Sequence, residues 1–341
     1  MTQKKHITQE VFSYQTLINV LTKKFNEIVT DATYQVQKLH GGTVGNVFLI
    51  KGLASLDQKE KPYQIVLKKQ DKWKRYGDEH SWRREYDLYH SGLHKTFLDD
   101  FSWPQCYEAK LNQDSFELWL AYIDGASAND LNLDMYVKAA ESLGRFQGKL
   151  YEEQPNIIHE LNNLSPKDYV NRFYHHYQAW DEVYDYIRSD ICDLPKHLCQ
   201  MLIDLDAREH QAFEQLNQLP IVLCHRDYWN TNIFYVNQGI VAIDWDTTGF
   251  GYFGEDMASL IADETNPKHM GDYFKYCVPA YVKGFSQYVD IKTDVFKQVH
   301  DLILMMFGYR LVETYKFAEK EADKILAKDS LQAFYDMKQS I

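Results

Sequence analysis

Several things are missing from this chain of 341 residues, and each absence removes a class of protein. No apolar run approaches the roughly 18 residues that a membrane-spanning helix requires. The opening residues, Met1 to His6, lack the apolar core of a signal peptide. Five cysteines (Cys106, Cys192, Cys199, Cys224, Cys277) make an odd number, with no Cys-x-x-Cys pair and no metal-ligand spacing. That pattern predicts a reduced, cytoplasmic protein whose thiols are mostly buried. There is no repeat and no low-complexity tract. Positive charge is in short supply: Lys and Arg total 37 against 49 Asp and Glu, a net charge of −12. Such a balance argues against nucleic acid or an anionic membrane as partner, and it suits a cationic substrate. What is present is an ordinary mixture, 45% apolar and 25% charged, in a chain long enough for one large or two medium domains.

One stretch organises the rest. Residues 223–234 read as an apolar strand, a polar loop carrying Asp227 and Asn232, and the start of a hairpin. The hairpin runs over 233–236, turns at 237–239, and continues over 240–243, bringing Asp244 back beside the loop. Two carboxylates and an amide therefore converge at strand ends. Phosphoryl transfer needs that grouping: one carboxylate orients a nucleophilic hydroxyl, and an Asn with a second Asp holds Mg²⁺ against the triphosphate. The spacing His-Arg-Asp-x-x-x-x-Asn over 225–232 is that of a kinase catalytic loop.

On these residues the chain resembles the aminoglycoside phosphotransferase and choline kinase group of kinase-like enzymes. Their loop usually reads His-Gly-Asp-x-x-x-x-Asn and their metal segment Ile-Asp-Trp-Glu. Here the loop holds Arg226 in place of Gly, and the metal segment is Ile243, Asp244, Trp245, Asp246. A protein kinase would place Lys where Trp229 stands, and would carry Asp-Phe-Gly and Ala-Pro-Glu segments that are absent from the sequence. A small-molecule kinase is the better reading. A protein kinase and a non-catalytic nucleotide-binding protein are the alternatives.

The resemblance extends towards the N-terminus. Residues 10–29 have apolar positions at helical spacing, Leu17, Leu21, Phe25 and Ile28. Residues 34–50 read as strand, turn, strand around Gly41, Gly42 and Gly45; such glycines let a backbone approach phosphates, and an ordinary glycine-rich hairpin would look the same. The next strand ends in Lys68 and Lys69, of which alternation sends one inward. The resemblance implies that Lys68 reaches the α and β phosphates and that Glu85, on a helix from 82, pairs with it. The basic run between Lys68 and Arg84 otherwise reads as a solvated helix start. It also implies that the strand over 116–125 joins two lobes, its backbone around Ala121 and Ile123 meeting adenine.

Beyond 135 the chain reads as helical. Phe173, Tyr177, Trp180, Tyr184, Ile187 and Ile191 predict a helix with a buried aromatic stripe. Beside it Asp181, Glu182 and Asp185 face either solvent or a cationic acceptor. Asp256 reads as the N-cap of a helix and, by resemblance, as structural support under the catalytic loop. A substrate role for Asp263 and Glu264 is possible on position alone. The expected fold is α+β, protein-kinase-like and bilobal, with a β-rich lobe over 1–124 and a helical lobe over 125–341. The implied cofactors are ATP, lying between the lobes, and Mg²⁺ on Asn232 and Asp244, with Asp227 as the catalytic residue. The implied acceptor is a small-molecule hydroxyl: relatives act on aminoglycosides, choline or ethanolamine, homoserine, methylthioribose and ketosamines.

Overall fold

The computed structural model describes residues 11–39, 45–57, 59–75 and 78–339. They form two compact units: the described residues of Met1–Lys74 with Pro104–Tyr122, and those of Arg75–Trp103 with Ile123–Ile341. Gly41 and Gly42 lie outside the described residues, whereas Gly45 opens a strand. Among the described residues no helix is long and apolar enough to cross a membrane.

The first unit starts with α1 (Tyr14–Phe25), which buries Leu17, Val20 and Leu21 on one face and stops at Asn26, whose φ of 51° is left-handed. It is shorter than the sequence spacing suggests. Ile28 is 77% exposed because the chain has already turned into β1 (Val29–Ala32). Next come β2 (Gln35–Lys38), β3 (Gly45–Leu56) and β4 (Lys59–Asp71), the last two a long antiparallel pair. After α2 (Arg84–Ser91) and β5 (Phe101–Ser102), both in the second unit, the chain returns as β6 (Cys106–Leu111) and β7 (Ser115–Ala121). The sheet has the order β1-β3-β4-β7-β6, with β2 also paired to β3. Ile50, Ala54, Ile65, Leu67 and Trp119 pack with Leu17 and Leu21 in one core. Each fully buried aliphatic side chain there contributes about 1.5–3 kcal/mol.

In the second unit α3 (Leu133–Glu153) is followed by α4 (Asn156–Glu160), α5 (Tyr169–Gln178), α6 (Asp181–Tyr184), α7 (Lys196–Ala207) and α8 (Glu209–Leu216). Then come β8 (Ile221–Cys224), β9 (Ile233–Val236), β10 (Gly239–Ala242) and β11 (Gly249–Tyr252). The helices α9 (Glu255–Ala262), α10 (Pro267–Phe285), α11 (Phe296–Ile303), α12 (Tyr309–Phe317) and α13 (Glu321–Lys338) close the chain. β10 pairs antiparallel with β9 and parallel with β5, and β11 pairs antiparallel with β8. α3 and α10 touch backbone to backbone: a Cβ on Gly144 would lie 2.2 Å from the Tyr281 carbonyl oxygen.

Among the described residues, a large sheet with one helix in the first unit, and mostly helices with two small sheets in the second, is the α+β composition the sequence suggests. Residues 75–103 pack with the second unit, and Arg84 shows why. Its side chain is fully buried and bonds Asp78, the Asn163 carbonyl and the Asp246 carbonyl. The solvated reading of the basic run therefore fails at this residue. The aromatic stripe also differs from expectation. Its helix breaks at Trp180 between α5 and α6, and Ile191 is 81% exposed. Of the stripe, Tyr177 and Ile187 are buried as expected, joined by Tyr174, and Asp181, Glu182 and Asp185 face solvent.

Candidate functional site

β8 is apolar and buried from Val222 to Cys224, so it delivers the polar loop from a fixed base. Two backbone reversals shape the loop and the segment after the hairpin. Arg226 has φ 67° and Asp244 has φ 64°, left-handed values that residues with a Cβ seldom adopt. Between them the β9–β10 hairpin turns through Asn237 and Gln238, both with positive φ, the type of two-residue turn that matches strand twist. The Ile243 N–H donates to the Asn232 carbonyl at 2.9 Å, which ties the strand end to the loop.

His225 braces the loop through its backbone. Its Nε2 lies 2.9 Å from the Ile243 carbonyl oxygen, so Nε2 carries the proton, and Nδ1 accepts from the Asp227 N–H at 3.3 Å. Asp256 accepts from the His225 N–H at 2.9 Å, the Arg226 N–H at 2.7 Å and Gln147 Nε2 at 2.9 Å. It thus supports the loop from inside α9. The N-cap expected at Asp256 belongs to Gly254; the carboxylate sits in the first turn, aimed at the loop rather than at its own helix.

Asp227 is half-buried and receives Asn232 Nδ2 at 2.7 Å on its carboxylate. Burial, followed by the charges of Asp244, Asp263 and Asp246, pushes its pKa up to about 7, while the Asn232 hydrogen bond pulls the other way. Arg75 Nη2 approaches Asp246 at 3.3 Å. Asp227, Asp244 and Asn232 can offer a cation carboxylate oxygens and an amide carbonyl oxygen, the ligands a hard divalent ion prefers. Among the described residues no group of three or more His, Cys, Asp or Glu stands ready to hold a metal by itself. The crowding of carboxylates around Asp227 is of the kind a bound cation relieves.

Next to the loop lies a cavity of about 620 Å³, lined by Asn230, Tyr136, Tyr273, Asp263, Glu264 and Arg310 among others. Tyr136 and Tyr273 stack with centroids 3.9 Å apart and planes at 14°. Arg310 spans Asp263 at 3.1 Å and Glu264 at 3.5 Å. Burial raises the Asp263 pKa although Arg310 opposes it. A π-helical turn over Leu304–Gly308 precedes α12, puts Phe307 on the cavity wall and sets the phase of Arg310.

The other residues expected at the site are spread over both units. In β4, Lys69 shares a face with Ile65 and Leu67, and its Nζ meets Glu117 at 2.9 Å and the Val11 carbonyl at 2.9 Å. Lys68 is on the other face, in register with Val47 and Leu118. Gly45 begins β3, opposite Gln70. Glu85 is 1% exposed in the first turn of α2, in the second unit. Ala121 ends β7 and its N–H already donates to the Gln105 carbonyl at 2.8 Å, and Ile123 comes after the strand has ended. Glu255, Gln147, Arg310, Tyr136 and Tyr273 were not singled out by sequence. Only Glu255 carries a signal there, a charged residue opening a helix whose eight residues are all buried.

Comparison with known proteins agrees with this geometry. By sequence alone no curated protein matches the chain. Among solved structures, a choline kinase from Cryptosporidium parvum Iowa II superposes with a TM-score of 0.57 at 14% identity, covering 96% of this chain and 96% of that one. An aminoglycoside phosphotransferase from Alicyclobacillus acidocaldarius gives 0.55 at 15% identity, covering 91% and 93%. A spectinomycin phosphotransferase in complex with ADP and spectinomycin gives 0.51 at 15% identity, covering 95% and 98%. Identities this low establish a shared kinase-like fold. Residues 106–275, which include the catalytic loop, its hairpin and α9, match the APH family directly, and the chain belongs to that phosphotransferase enzyme family.

Proposed function

We propose that the protein uses MgATP to phosphorylate a hydroxyl of a small cationic molecule. The observation that carries this reading is the Asp227 carboxylate, held by Asn232 at 2.7 Å beside a cavity walled by Asp263, Glu264 and Asn230. Asp227 accepts a hydrogen bond from the acceptor hydroxyl and aims it in line at the γ-phosphate. Its gain is mainly positional, since a carboxylate is a weak base for an alcohol. Asn232 and Asp244 would hold Mg²⁺, which when bound neutralises charge on the transferring phosphoryl group. By the family resemblance, Lys68 and the glycines 41, 42 and 45 are assigned to the triphosphate, Glu85 to support of the lysine, and the backbone near Ala121 and Ile123 to adenine. At Ala121 the N–H is committed to Gln105, so the assignment there falls to other backbone groups.

The charge around the cavity favours a cationic acceptor. Among the described residues, Arg310 and His269 are the basic side chains on its wall, against Asp263, Glu264 and Asp323, and Arg310 is itself paired with Asp263 and Glu264. The stacked pair Tyr136 and Tyr273 adds an aromatic surface that an ammonium group can approach. The test is ADP release from MgATP against choline, ethanolamine, 1-amino-2-propanol, spectinomycin and kanamycin, with neutral sugars as counterparts and Asp227→Asn as control. Turnover with an amine that the control abolishes supports the reading. Transfer to neutral sugars alone would remove the cationic class, and failure to bind MgATP would overturn the proposal as a whole.

A further inference from the structure

Arg226 occupies a position where a side chain is a burden, because its φ of 67° disfavours any residue with a Cβ. Yet its guanidinium is fully buried and almost fully bonded. Nε donates to Glu255 Oε1 at 2.7 Å, Nη1 to the Pro166 carbonyl at 2.8 Å and to Ser165 Oγ, and Nη2 to the Phe250 carbonyl at 2.8 Å. The ring of Tyr169 lies 4.8 Å from Cζ. The other Glu255 oxygen accepts the Tyr252 N–H at 2.9 Å. Room for the pair comes from two glycines on one face of β11. A Cβ on Gly249 would lie 2.7 Å from Arg226 Nη1, and one on Gly251 would lie 2.0 Å from Glu255 Oε2.

Residue 226 is therefore gripped twice by the first turn of α9: Asp256 takes its N–H at 2.7 Å and Glu255 takes its side chain. The next residue along is Asp227. We infer that the buried Arg226–Glu255 pair, seated against Gly249 and Gly251, is a positioning device that fixes the direction in which Asp227 presents its carboxylate. Arg226 and Glu255 touch no substrate in this arrangement; they act through the backbone between 226 and 227. The inference rests on the reading of Asp227 as the residue that orients the acceptor.

The test uses the full chain carrying Arg226→Gly, Glu255→Gln or Gly249→Ala. Glycine tolerates the backbone conformation at 226, so that variant removes the anchor without adding strain. Gly249→Ala crowds Ser165 and, with it, the guanidinium that Ser165 binds, without deleting a charge, and is read alongside the two charge deletions. ADP release from MgATP is measured with water and with choline, ethanolamine and spectinomycin as acceptors, below each variant's melting midpoint. Misplacing a reacting group by about 1 Å can lower a rate on the order of 100-fold, so kcat should fall by about 10- to 100-fold while KM for MgATP stays within about twofold. Arg226→Lys, which keeps the charge and loses the fork, should restore only part of kcat. Folded Arg226→Gly and Gly249→Ala with wild-type kcat would overturn the inference, as would a rise in KM for MgATP at constant kcat. Asp227→Asn separates the two claims. If it retains turnover, the assignment of Asp227 fails; if it abolishes turnover while the anchor variants keep theirs, only the positioning role fails.

Discussion

Two groups of carboxylates lie within the second unit, and both are shielded from water, but they are built on opposite principles. Beneath the catalytic loop, Glu255 and Asp256 are about 1% exposed, and they meet Arg226, the Tyr252 N–H, the His225 and Arg226 N–H groups and Gln147. Above it, Asp227 is bonded by Asn232, and its other strong influences are like charges on Asp244, Asp263 and Asp246. Asp256 and Asp227 are both pushed up to about 7, the first by burial against opposing donors, the second by burial reinforced by neighbouring anions. The first group is complete as it stands. The second stores repulsion that a cation can release. Burial alone thus does not mark a functional acid; the balance between donors and like charges does.

The largest effect that sharpens this contrast is on turnover. Asp227→Asn or Asp244→Ala should lower kcat by roughly 10²- to 10⁴-fold while leaving the far-UV circular dichroism unchanged and unfolding cooperative, with no loss of stability. Asp256→Ala should do the reverse. It leaves the N–H groups of His225 and Arg226 and the Gln147 amide without their buried acceptor, at about 1–3 kcal/mol each. Denaturant unfolding should show a loss of several kcal/mol, and kcat per folded molecule should fall much less than in Asp227→Asn. If Asp256→Ala unfolds like wild type, the claim that this acid is structural is wrong.

A smaller effect is visible in stability against pH. The folded pKa of Asp227, about 7, exceeds its ordinary value of 3.8. Between those values the folded protein keeps a proton that the unfolded chain has released, so this group's contribution falls as pH rises from about 4 to 7, and above 7 the charged carboxylate is a liability. Asp227→Asn should therefore melt a few degrees higher than wild type at pH 8 without nucleotide, with the gap closing below about pH 4. Saturating Mg²⁺ should narrow the gap at pH 8 by relieving the same repulsion in the wild type. An Asn variant that melts lower than wild type at pH 8 would contradict the crowding of charges described for this site.

The upper group was legible in the sequence and the lower one only partly. Asp227, Asn232 and Asp244 sit at ends of short strands, and strand-loop-hairpin signals are local, so their convergence follows from turn chemistry at Asn237 and Gln238 and from apolar runs on either side. Asp256 was placed beneath the loop, but its partners lie 30 and 31 residues away and on α3, which local pattern does not encode. Arg310, Tyr136 and Tyr273 meet through packing of α3, α10 and α12, and the π-helical turn that phases Arg310 breaks the 3.6-residue period from which a face would be read. The aromatic stripe held at Tyr177 and Ile187 and failed at Ile191 for a related reason: the period continues through Trp180, but the helix does not.

The smallest effect concerns the boundary between the crowded acids and the cavity. Asp263 acts on both: its charge raises the Asp227 pKa, and it holds Arg310 at 3.1 Å on the cavity wall. Glu264 also approaches Arg310, at 3.5 Å, but it is the more exposed of the two and is not among the largest influences on Asp227. Asp263→Asn should thus move the acid limb of the kcat/KM profile to lower pH, because one of the anions that disfavours ionised Asp227 is gone. It should also raise KM for an amine acceptor about threefold to tenfold, a modest loss because Arg310 already offsets part of the Asp263 charge. Glu264→Gln should raise that KM less and leave the acid limb where it is. Equal behaviour of the two variants would mean that the cavity and Asp227 are electrostatically independent, and that the acidic wall selects the acceptor without influencing the group that aims it.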